Sequence, residues 1–382
     1  MPWPRTVRKF GISPPAHKAE TRERPIHQLP FAPLLLVPLQ QHAGPAAIAT
    51  VRAGETVACG QPLGRPDGAR SGAIHAPATG RVERIAPMPD VSGAMVQGIY
   101  LTPFPGATQE VANGAPCILE TSSPAAIIDA IQAAGIVGLG GAAFPTHAKL
   151  RIPPGRSVRQ LIINGAECEP WLTTDYRVMR EHAADVVTGV RYLLRATGAP
   201  VAILAVEDHA EDAAAAVRAQ VPADLPLTSR TVPSRYPHGA EKLLIRSLLG
   251  VEIPIGGHPV DVGVLCINVA TVAEIGALLP RGQGIQERVV TIAGPGVTRP
   301  GNYRVPIGTP LRFALETVGP HPALTRVFLG GPMMGQALPS LDVPITKGTT
   351  GFIAFTERET GAPARVYPCI RCGRCVAACP LG

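Results

Sequence analysis

The first third of the chain alternates short apolar runs with glycines, as a small β domain does. Such runs occupy residues 34–37, 47–51 and 80–85 and are separated by turn residues. Short runs of aliphatic and β-branched residues bounded by glycine and proline are typical of strands joined by tight turns. We therefore predict an all-β domain over residues 31–105, preceded by a Pro-rich, charged and extended arm over residues 1–30.

The middle of the chain changes to an alternation of helical and strand patterns. Ser123, an immediate proline, an amphipathic run and then Gly135 form a helix start and stop signal. Such alternation indicates an α/β layer domain, which we place at residues 120–285. Beyond the first helix, the predicted elements are strands at 161–164 and 201–206 and helices at 175–196, 210–220 and 239–249. From residue 288 to about 355 the β pattern returns.

Composition limits the classes of function. With 46% apolar residues in 382, the chain can bury real cores. The net charge of +7 fits an anionic membrane surface or acidic electron carriers, or reflects an Arg-rich composition alone. No basic run is interleaved with aromatics, so we expect no nucleic acid partner.

Targeting segments and disulfides are not predicted. The N-terminus lacks the apolar run of a secretory signal. The longest apolar stretch, residues 262–279, is interrupted by Asn268 and Glu274, which argues against a membrane span. Four scattered cysteines are expected to be free thiols in a reducing compartment: Cys59, Cys117, Cys168 and Cys266.

The last residues carry a C-x2-C-x2-C-x3-C-P run. It consists of Cys369, Cys372, Cys375, Cys379 and the proline that follows. This spacing is that of bacterial iron–sulfur ligation, in which the fourth cysteine often binds a second cluster. No second run is present, so we expect a truncated chain. Zinc is the alternative, but its sites usually pair two separated knuckles.

A glycine-rich loop follows the predicted helix that ends near Gly135. It contains Gly138, Gly140 and Gly141, then Phe144 and Lys149. Its formal G-x-G-x-x-A pattern lacks the preceding strand of a dinucleotide-binding unit. Glycine N–H groups and a nearby lysine nevertheless predict a phosphate cradle.

Further motifs follow the loop in a fixed order. They are N-G-A-E-C-E-P from Asn164, Y-P-x-G-A-E-K from Tyr236, and N-V-A-T from Asn268. In this order they resemble the NADH-binding flavin subunit of respiratory complex I. Together with the segment G-G-P-M-M-G at 330–335 and the N-terminal β domain, they resemble more closely the RnfC component of the Rnf ion-translocating electron-transport complex.

The resemblance implies a site for FMN and NADH. It implies that Lys149 and Glu169 are catalytic, that Phe144 stacks on the nicotinamide side, and that Glu169 and Glu241 line the NADH pocket. Leu139, Ala166 and Ala240 depart from the complex I pattern and put the NADH contacts in doubt more than the flavin contacts. The implied cofactor-binding residues are Gly138, Gly140, Gly141, Phe144, Lys149, Asn164, Glu167, Glu169, Tyr236, Gly239, Glu241, Asn268 and Thr271.

The resemblance also implies the architecture. We expect a multidomain α/β protein with an N-terminal barrel-sandwich domain of the lipoyl and biotinyl type and an α/β flavin and NADH domain. A β-grasp domain at residues 286–356 and a ferredoxin-type iron–sulfur segment at residues 364–382 would follow. The modifiable lysine of lipoyl carriers is missing from the first domain, so we interpret it as a structural or docking module.

The implied function is oxidation of NADH, or its reverse, within a membrane complex that moves ions. Electrons would pass from FMN to [4Fe–4S] clusters and on to other subunits, including a ferredoxin-like iron–sulfur subunit. The chain would lie peripherally on the cytoplasmic face of the bacterial inner membrane. Two alternatives stay open: a cobalamin-reductase-type flavoprotein, and a non-catalytic electron relay.

Overall fold

A computed structural model describes residues 11–361 and 365–378 of the protein. Its strands are β1 (Ile26–Gln28), β2 (Leu35–Pro38), β3 (Ile48–Ala49), β4 (Thr56–Val57), β5 (Pro62–Arg65), β6 (Ile74–His75), β7 (Gly80–Pro89), β8 (Met95–Pro103), β9 (Gln160–Gly165), β10 (Ala202–Glu207), β11 (Leu227–Val232), β12 (Val264–Asn268), β13 (Glu287–Ala293), β14 (Gly301–Pro306), β15 (Leu324–Leu329), β16 (Gln336–Ala337) and β17 (Gly351–Thr356). Its helices are α1 (Ala19–Arg22), α2 (Pro124–Ala133), α3 (Thr146–Leu150), α4 (Thr174–Glu181), α5 (Ala183–Thr197), α6 (Glu211–Arg218), α7 (Glu241–Leu249), α8 (Val269–Leu278), α9 (Leu311–Val318), α10 (Glu357–Thr360) and α11 (Arg374–Ala378).

The N-terminal β region forms two antiparallel sheets, ordered β2-β8-β7-β4 and β3-β5-β6. Strand β2 is buried at all four of its positions, whereas β7 and β8 combine buried with exposed positions. An aliphatic core that includes Leu35, Val37, Leu63, Val82 and Leu101 is almost fully buried. The predicted all-β domain is therefore present.

The central region is built on a parallel sheet ordered β11-β10-β9-β12. The chain runs outward from β9 to β10 and β11, then returns to place β12 on the other side of β9. The order therefore reverses between β9 and β12, and open α/β sheets bind their ligands beyond the carboxyl ends of strands at such a point. The predicted helix over 175–196 is wrong in one respect, because it is two helices, α4 and α5, separated at His182.

The third region is a mixed sheet ordered β1-β14-β13-β17-β15-β16. The pattern predicted only strands here, but helix α9 lies between β14 and β15. Its buried residues Leu311, Ala314, Leu315 and Val318 follow the i, i+3, i+4, i+7 spacing of a helix face. The N-terminal arm is not simply extended, since it contains α1 and since β1 pairs in parallel with β14.

Lys347 connects the three regions. Its buried ammonium donates to the carbonyl oxygens of Ala73 in the β domain (2.5 Å) and Gly135 in the central region (2.9 Å). Burial lowers the pKa of Lys347 to about 7. In the part of the chain that the structure describes, no helix combines the length and apolar character needed to cross a bilayer.

Candidate cofactor site

Two asparagines mark the carboxyl edge of the parallel sheet. Asn164 on β9 and Asn268 on β12 are direct neighbours in the strand register. The Asn268 side-chain oxygen accepts from the backbone N–H groups of Ala270 (3.0 Å) and Thr271 (3.3 Å) and so caps helix α8. Its amide nitrogen donates to Asp175 Oδ2 at 2.6 Å. All polar atoms of this side chain are thereby fixed at the switch point of the sheet.

The glycine-rich loop is anchored against this edge. The Gly138 N–H donates to the Phe144 carbonyl at 2.8 Å, which closes the loop on itself. The Leu139 N–H donates to Thr271 Oγ1 at 2.9 Å, and its carbonyl accepts from the buried guanidinium of Arg288. The side chain of Leu139 is buried in the core of the central region. Leu139, which stands where the complex I pattern has an arginine, therefore lies on the core side of the loop.

The other side of the loop is open. Gly140, Gly141 and Ala142 are all exposed, and their backbone N–H groups have no acceptor within residues 11–361 and 365–378. A Cβ added at Gly140 would lie 3.3 Å from the fixed side chain of Asn268, and Gly141 has a φ of +102° that favours glycine. Consecutive free N–H groups on such a loop are a fitting cradle for a phosphate group.

A second group of predicted residues lies around helices α3 and α7. Lys149 Nζ and Glu241 Oε1 are 2.5 Å apart, and both side chains are about one third exposed. The Asn164 amide donates to the Gly239 carbonyl at 2.9 Å. At Gly239 only glycine fits, because a Cβ would lie 2.4 Å from the carbonyl oxygen of Ala166. The structure thus brings four predicted residues together at one end of the sheet.

A pair of carboxyl groups lies behind the loop. Glu167 accepts from the backbone N–H groups of Asp175 (3.1 Å) and Tyr176 (3.4 Å) and so caps helix α4 from outside. Burial, and then the charge of Glu167, raise the pKa of Asp175 to about 7. Burial also raises the pKa of Glu167. The sequence suggested Asp175 only as a helix start, so its contact with Asn268 was missed.

Lys18 is a second residue that sequence analysis missed. Its buried ammonium donates to the carbonyl oxygens of Glu167 and Leu172, the latter at 2.8 Å. It comes from the N-terminal arm and fixes the backbone of the motif that begins at Asn164. The sequence offered one signal for Lys18. Only five of the 35 lysines and arginines are lysines, so a lysine is the unusual choice of cation in this chain.

Glu169 was predicted to line the NADH pocket, but in the structure it binds backbone N–H groups of the third region. Its carboxylate accepts from the backbone N–H groups of Met333 (3.0 Å) and Met334 (2.8 Å), in the 330–335 segment of the third region. A Cβ at Gly331 would lie 2.1 Å from the same carboxylate. In the structure Glu169 therefore connects two regions, and its catalytic role stays a prediction.

Two aromatic candidates lie at the rim. The ring of Phe144 is 38% exposed at the end of the glycine-rich loop. The backbone of Tyr236 pairs with that of Ile12 from the arm, with N–O distances of 2.8 and 2.9 Å. Burial, followed by the charges of Glu169 and Cys168, raises the pKa of Tyr236.

The described cysteines of the C-terminal run are exposed. The Arg371 N–H donates to Cys369 Sγ at 3.4 Å, and Cys372 and Cys375 lie on either side of a left-handed Gly373. Cys379 lies outside the described residues. Thiolates at this spacing suit an iron–sulfur cluster chemically. Within residues 11–361 and 365–378, however, no three His, Cys, Asp or Glu side chains are grouped to hold a metal ion.

Three family models match the chain. Residues 131–277 match the Nuo51 FMN-binding domain, which includes the glycine-rich loop and both asparagines. Residues 7–103 match the RnfC barrel sandwich hybrid domain, and residues 289–337 match the SLBB domain. The predicted barrel-sandwich and FMN-binding types of domain are confirmed.

Curated relatives extend the similarity to nearly the whole chain. The RnfC protein of the ion-translocating oxidoreductase complex of Pseudomonas aeruginosa is 39% identical over 97% of this chain and 48% of its own length. That of Yersinia pestis bv. Antiqua is 40% identical over 97% of this chain and 60% of its own length. The chain belongs to the RnfC family. It spans about half to three fifths of the length of these relatives.

A solved structure shares the fold of this RnfC family member. An NAD+-reducing [NiFe]-hydrogenase in its H2-reduced state matches with a TM-score of 0.54 and 25% sequence identity. The match covers 65% of this chain and 53% of the hydrogenase chain. The chain is thus related both to RnfC proteins and to proteins with the Nuo51 FMN-binding domain.

Proposed function

We propose that this chain binds FMN at the carboxyl edge of its parallel sheet and exchanges electrons between NADH and a membrane-bound, ion-translocating complex. One observation carries the proposal: Gly140, Gly141 and Ala142 are exposed on a loop fixed to the switch point, and their three consecutive N–H groups have no acceptor among the described residues. That arrangement suits the phosphate of a flavin nucleotide. The relatedness to RnfC proteins and to an NAD+-reducing enzyme supports the choice of cofactor and substrate.

The residues divide into binding and positioning roles. The free N–H groups of the loop would hold the phosphate, and the ammonium of Lys149 would supply positive charge for the flavin ring. Thr271 positions the loop by accepting from the Leu139 N–H, and Asn268, held by Asp175, packs beside Gly140. FMN, when bound, accepts a hydride and releases its electrons one at a time.

Two pairs of side chains, Asp175 with Asn268 and Lys149 with Glu241, can hold a proton or balance charge near the loop. Because its pKa is about 7, Asp175 holds a proton at its carboxyl about half of the time near neutral pH. Its partner Asn268 can donate to the charged form. The ion pair between Lys149 and Glu241 holds the lysine ammonium at the edge, and the pair as a whole is neutral before a ligand enters. These groups can therefore adjust to a change of charge at the flavin without moving the backbone.

The remaining parts of the proposal concern electron transfer and assembly. Cys369, Cys372, Cys375 and Cys379 would hold [4Fe–4S] clusters. The partners would be the other subunits, including a ferredoxin-like iron–sulfur subunit, and the chain would lie on the cytoplasmic face of the inner membrane. The donor chemistry of the cysteines and the names of the relatives support this part.

The direct test is the anaerobic visible spectrum of FMN-loaded protein before and after addition of NADH. We expect a flavin band that NADH bleaches, and a Lys149→Met variant that is bleached more slowly. A bound flavin reduced by dithionite but not by NADH would instead support the electron-relay alternative. Absence of bound flavin in protein incubated with FMN would overturn the site.

A further inference from the structure

A loop of the N-terminal β domain, residues 66–73 between β5 and β6, packs against the glycine-rich region. The Gln132 amide donates to the carbonyl oxygens of Gly68 (3.1 Å) and Ser71 (2.9 Å). The imidazole Nε2 of buried His147 lies 3.0 Å from the carbonyl oxygen of Ala69. The backbone on both sides of Arg70 is therefore held by helices α2 and α3 of the central region.

Arg70 projects from this fixed backbone toward the mouth of the site. Its guanidinium carbon lies 5.9 Å from the centroid of the Phe144 ring, within the range of a cation–π contact. The side chain is exposed. No carboxylate pairs with it among the side chains of residues 11–361 and 365–378. Gly44 also packs against this backbone: a Cβ added at Gly44 would lie 2.1 Å from the carbonyl oxygen of Arg70.

The charges around the site make this arginine distinctive. Glu167, Asp175 and Glu241 all lie at the carboxyl edge, so the edge is rich in acids. Lys149 is paired with Glu241, and the ammonium of Lys18 is buried against carbonyl oxygens. Lys149 and Lys18 are therefore already engaged, and a substrate carrying two phosphate charges would gain from a further cation that has no carboxylate partner. Arg70 is exposed, unpaired with any described carboxylate, and adjacent to the rim aromatic Phe144.

We propose that Arg70 binds the pyrophosphate of the nicotinamide dinucleotide, so that the barrel-sandwich domain completes the substrate site. The proposal rests on the function proposed above, since it assigns the substrate's charged part to one residue. A guanidinium suits this task because its planar fork can donate two hydrogen bonds to phosphate oxygens while its face rests on an aromatic ring. The glycine-rich loop would remain the binding site of the flavin phosphate.

The test is binding of ADP-ribose, which carries the pyrophosphate but no nicotinamide, to FMN-loaded protein by isothermal titration calorimetry. We expect Arg70→Ala to weaken binding about tenfold, the loss of one charge-assisted contact, and Arg70→Lys to weaken it less. Arg65→Ala, on an exposed arginine five positions earlier in the same domain, should leave affinity unchanged. Bound FMN should be equal in all four proteins.

The outcomes separate this assignment from the function on which it rests. Equal affinity for ADP-ribose in the wild type and Arg70→Ala, with NADH still bleaching the flavin, would overturn the role of Arg70 alone. Loss of FMN from Arg70→Ala would also overturn it, because the arginine would then serve the flavin. A wild-type protein that binds FMN but neither ADP-ribose nor NADH would overturn the proposed function and the Arg70 assignment together.

Discussion

The carboxyl edge of the parallel sheet and the C-terminal cysteine run carry sequence motifs of similar clarity, yet the structure treats them differently. At the edge, Asn268 is fixed both by Asp175, which is distant in the chain, and by the start of helix α8, which follows it directly. In the run, Cys369, Cys372 and Cys375 are exposed. Their described backbone is ordered only by local contacts, namely the Arg371 N–H to Cys369 Sγ and, within the short helix α11, the Ala377 N–H to the Gly373 carbonyl at 3.0 Å.

The difference teaches where each kind of site obtains its geometry. The edge is arranged by the fold itself, through strand register, a helix cap and an anchored loop. The cysteine run offers ligands of the right kind and spacing, but a cluster would have to supply the geometry by binding. Substitutions at the edge should therefore affect stability and cofactor binding together, whereas substitutions in the run should affect only metal content.

The largest effect is expected from Gly140→Val. The new side chain would press on Asn268, which cannot yield because three hydrogen bonds hold it. FMN affinity, measured by quenching of flavin fluorescence, should fall at least about tenfold. Gly138→Ala is the matched control, since its Cβ would lie 3.5 Å from the nearest atom, an ordinary contact. Equal losses in both variants would mean that the loop is not fixed against Asn268.

A smaller effect, on stability, is expected from Asn268→Asp. The variant keeps the helix cap but places a second carboxylate beside Asp175. The melting temperature should fall by about 3 to 5 °C at pH 8. At pH 5 the loss should be smaller, because Asp175, with a pKa of about 7, is then protonated and can donate to the new carboxylate.

The control for that variant is Asn113→Asp, whose side chain contacts Gln283 at the surface. Its melting temperature should differ little from that of the wild type at either pH. A loss in Asn268→Asp that is the same at pH 5 and pH 8 would contradict the paired arrangement with Asp175.

A further, smaller effect concerns the pH dependence of stability. Burial and Glu167 raise the folded-state pKa of Asp175 from 3.8 to about 7. The folded state therefore resists loss of this proton, and the contribution of Asp175 to stability, full below about pH 4, is lost as the pH rises through 7. Asp175→Asn should remove this loss, so that its melting temperature falls by a few degrees less than that of the wild type between pH 5 and pH 8.

Asp224→Asn, at an exposed position, provides the comparison for that titration. Its melting profile between pH 5 and pH 8 should follow the wild type. If Asp175→Asn also follows the wild type, the buried carboxyl pair does not titrate in this range.

The smallest effect on the fold is expected in the cysteine run. Cys372→Ser changes an exposed side chain, so the melting temperature should stay within about 1 °C and the flavin should be retained. Iron content after anaerobic reconstitution should fall. Cys266→Ser is the control, because it introduces a hydroxyl into a buried core and should lower the melting temperature. A large loss of stability in Cys372→Ser would mean that the run is part of the folded core.

Local patterns predicted much of the fold and part of the site. The helix after Ser123 begins with the expected cap, in which its side chain accepts from the Ala126 N–H. The pairs Lys149 with Glu241 and Asn164 with Gly239 bring together residues taken from separate motifs. These predictions succeeded in placing residues together because the motifs lie at strand ends and helix starts, which a parallel sheet gathers at one edge.

What the sequence missed depends on contacts between distant elements. Lys18 reaches the site from the arm, and Asp175 acquires its role only because α4 starts beside Asn268. Glu169 was assigned to the nucleotide pocket, whereas the third region folds over it and engages both carboxylate oxygens. Neither hydrophobic period nor motif spacing contains the relative placement of such elements.

The most direct test of the central claim is an equilibrium titration of the purified chain with FMN, followed by flavin fluorescence. The account predicts saturable quenching with one FMN per chain, weakened at least about tenfold in Gly140→Val and retained in Gly138→Ala and Cys372→Ser. Absence of saturable binding by the wild-type chain, or binding that Gly140→Val does not weaken, would contradict a flavin site at the carboxyl edge.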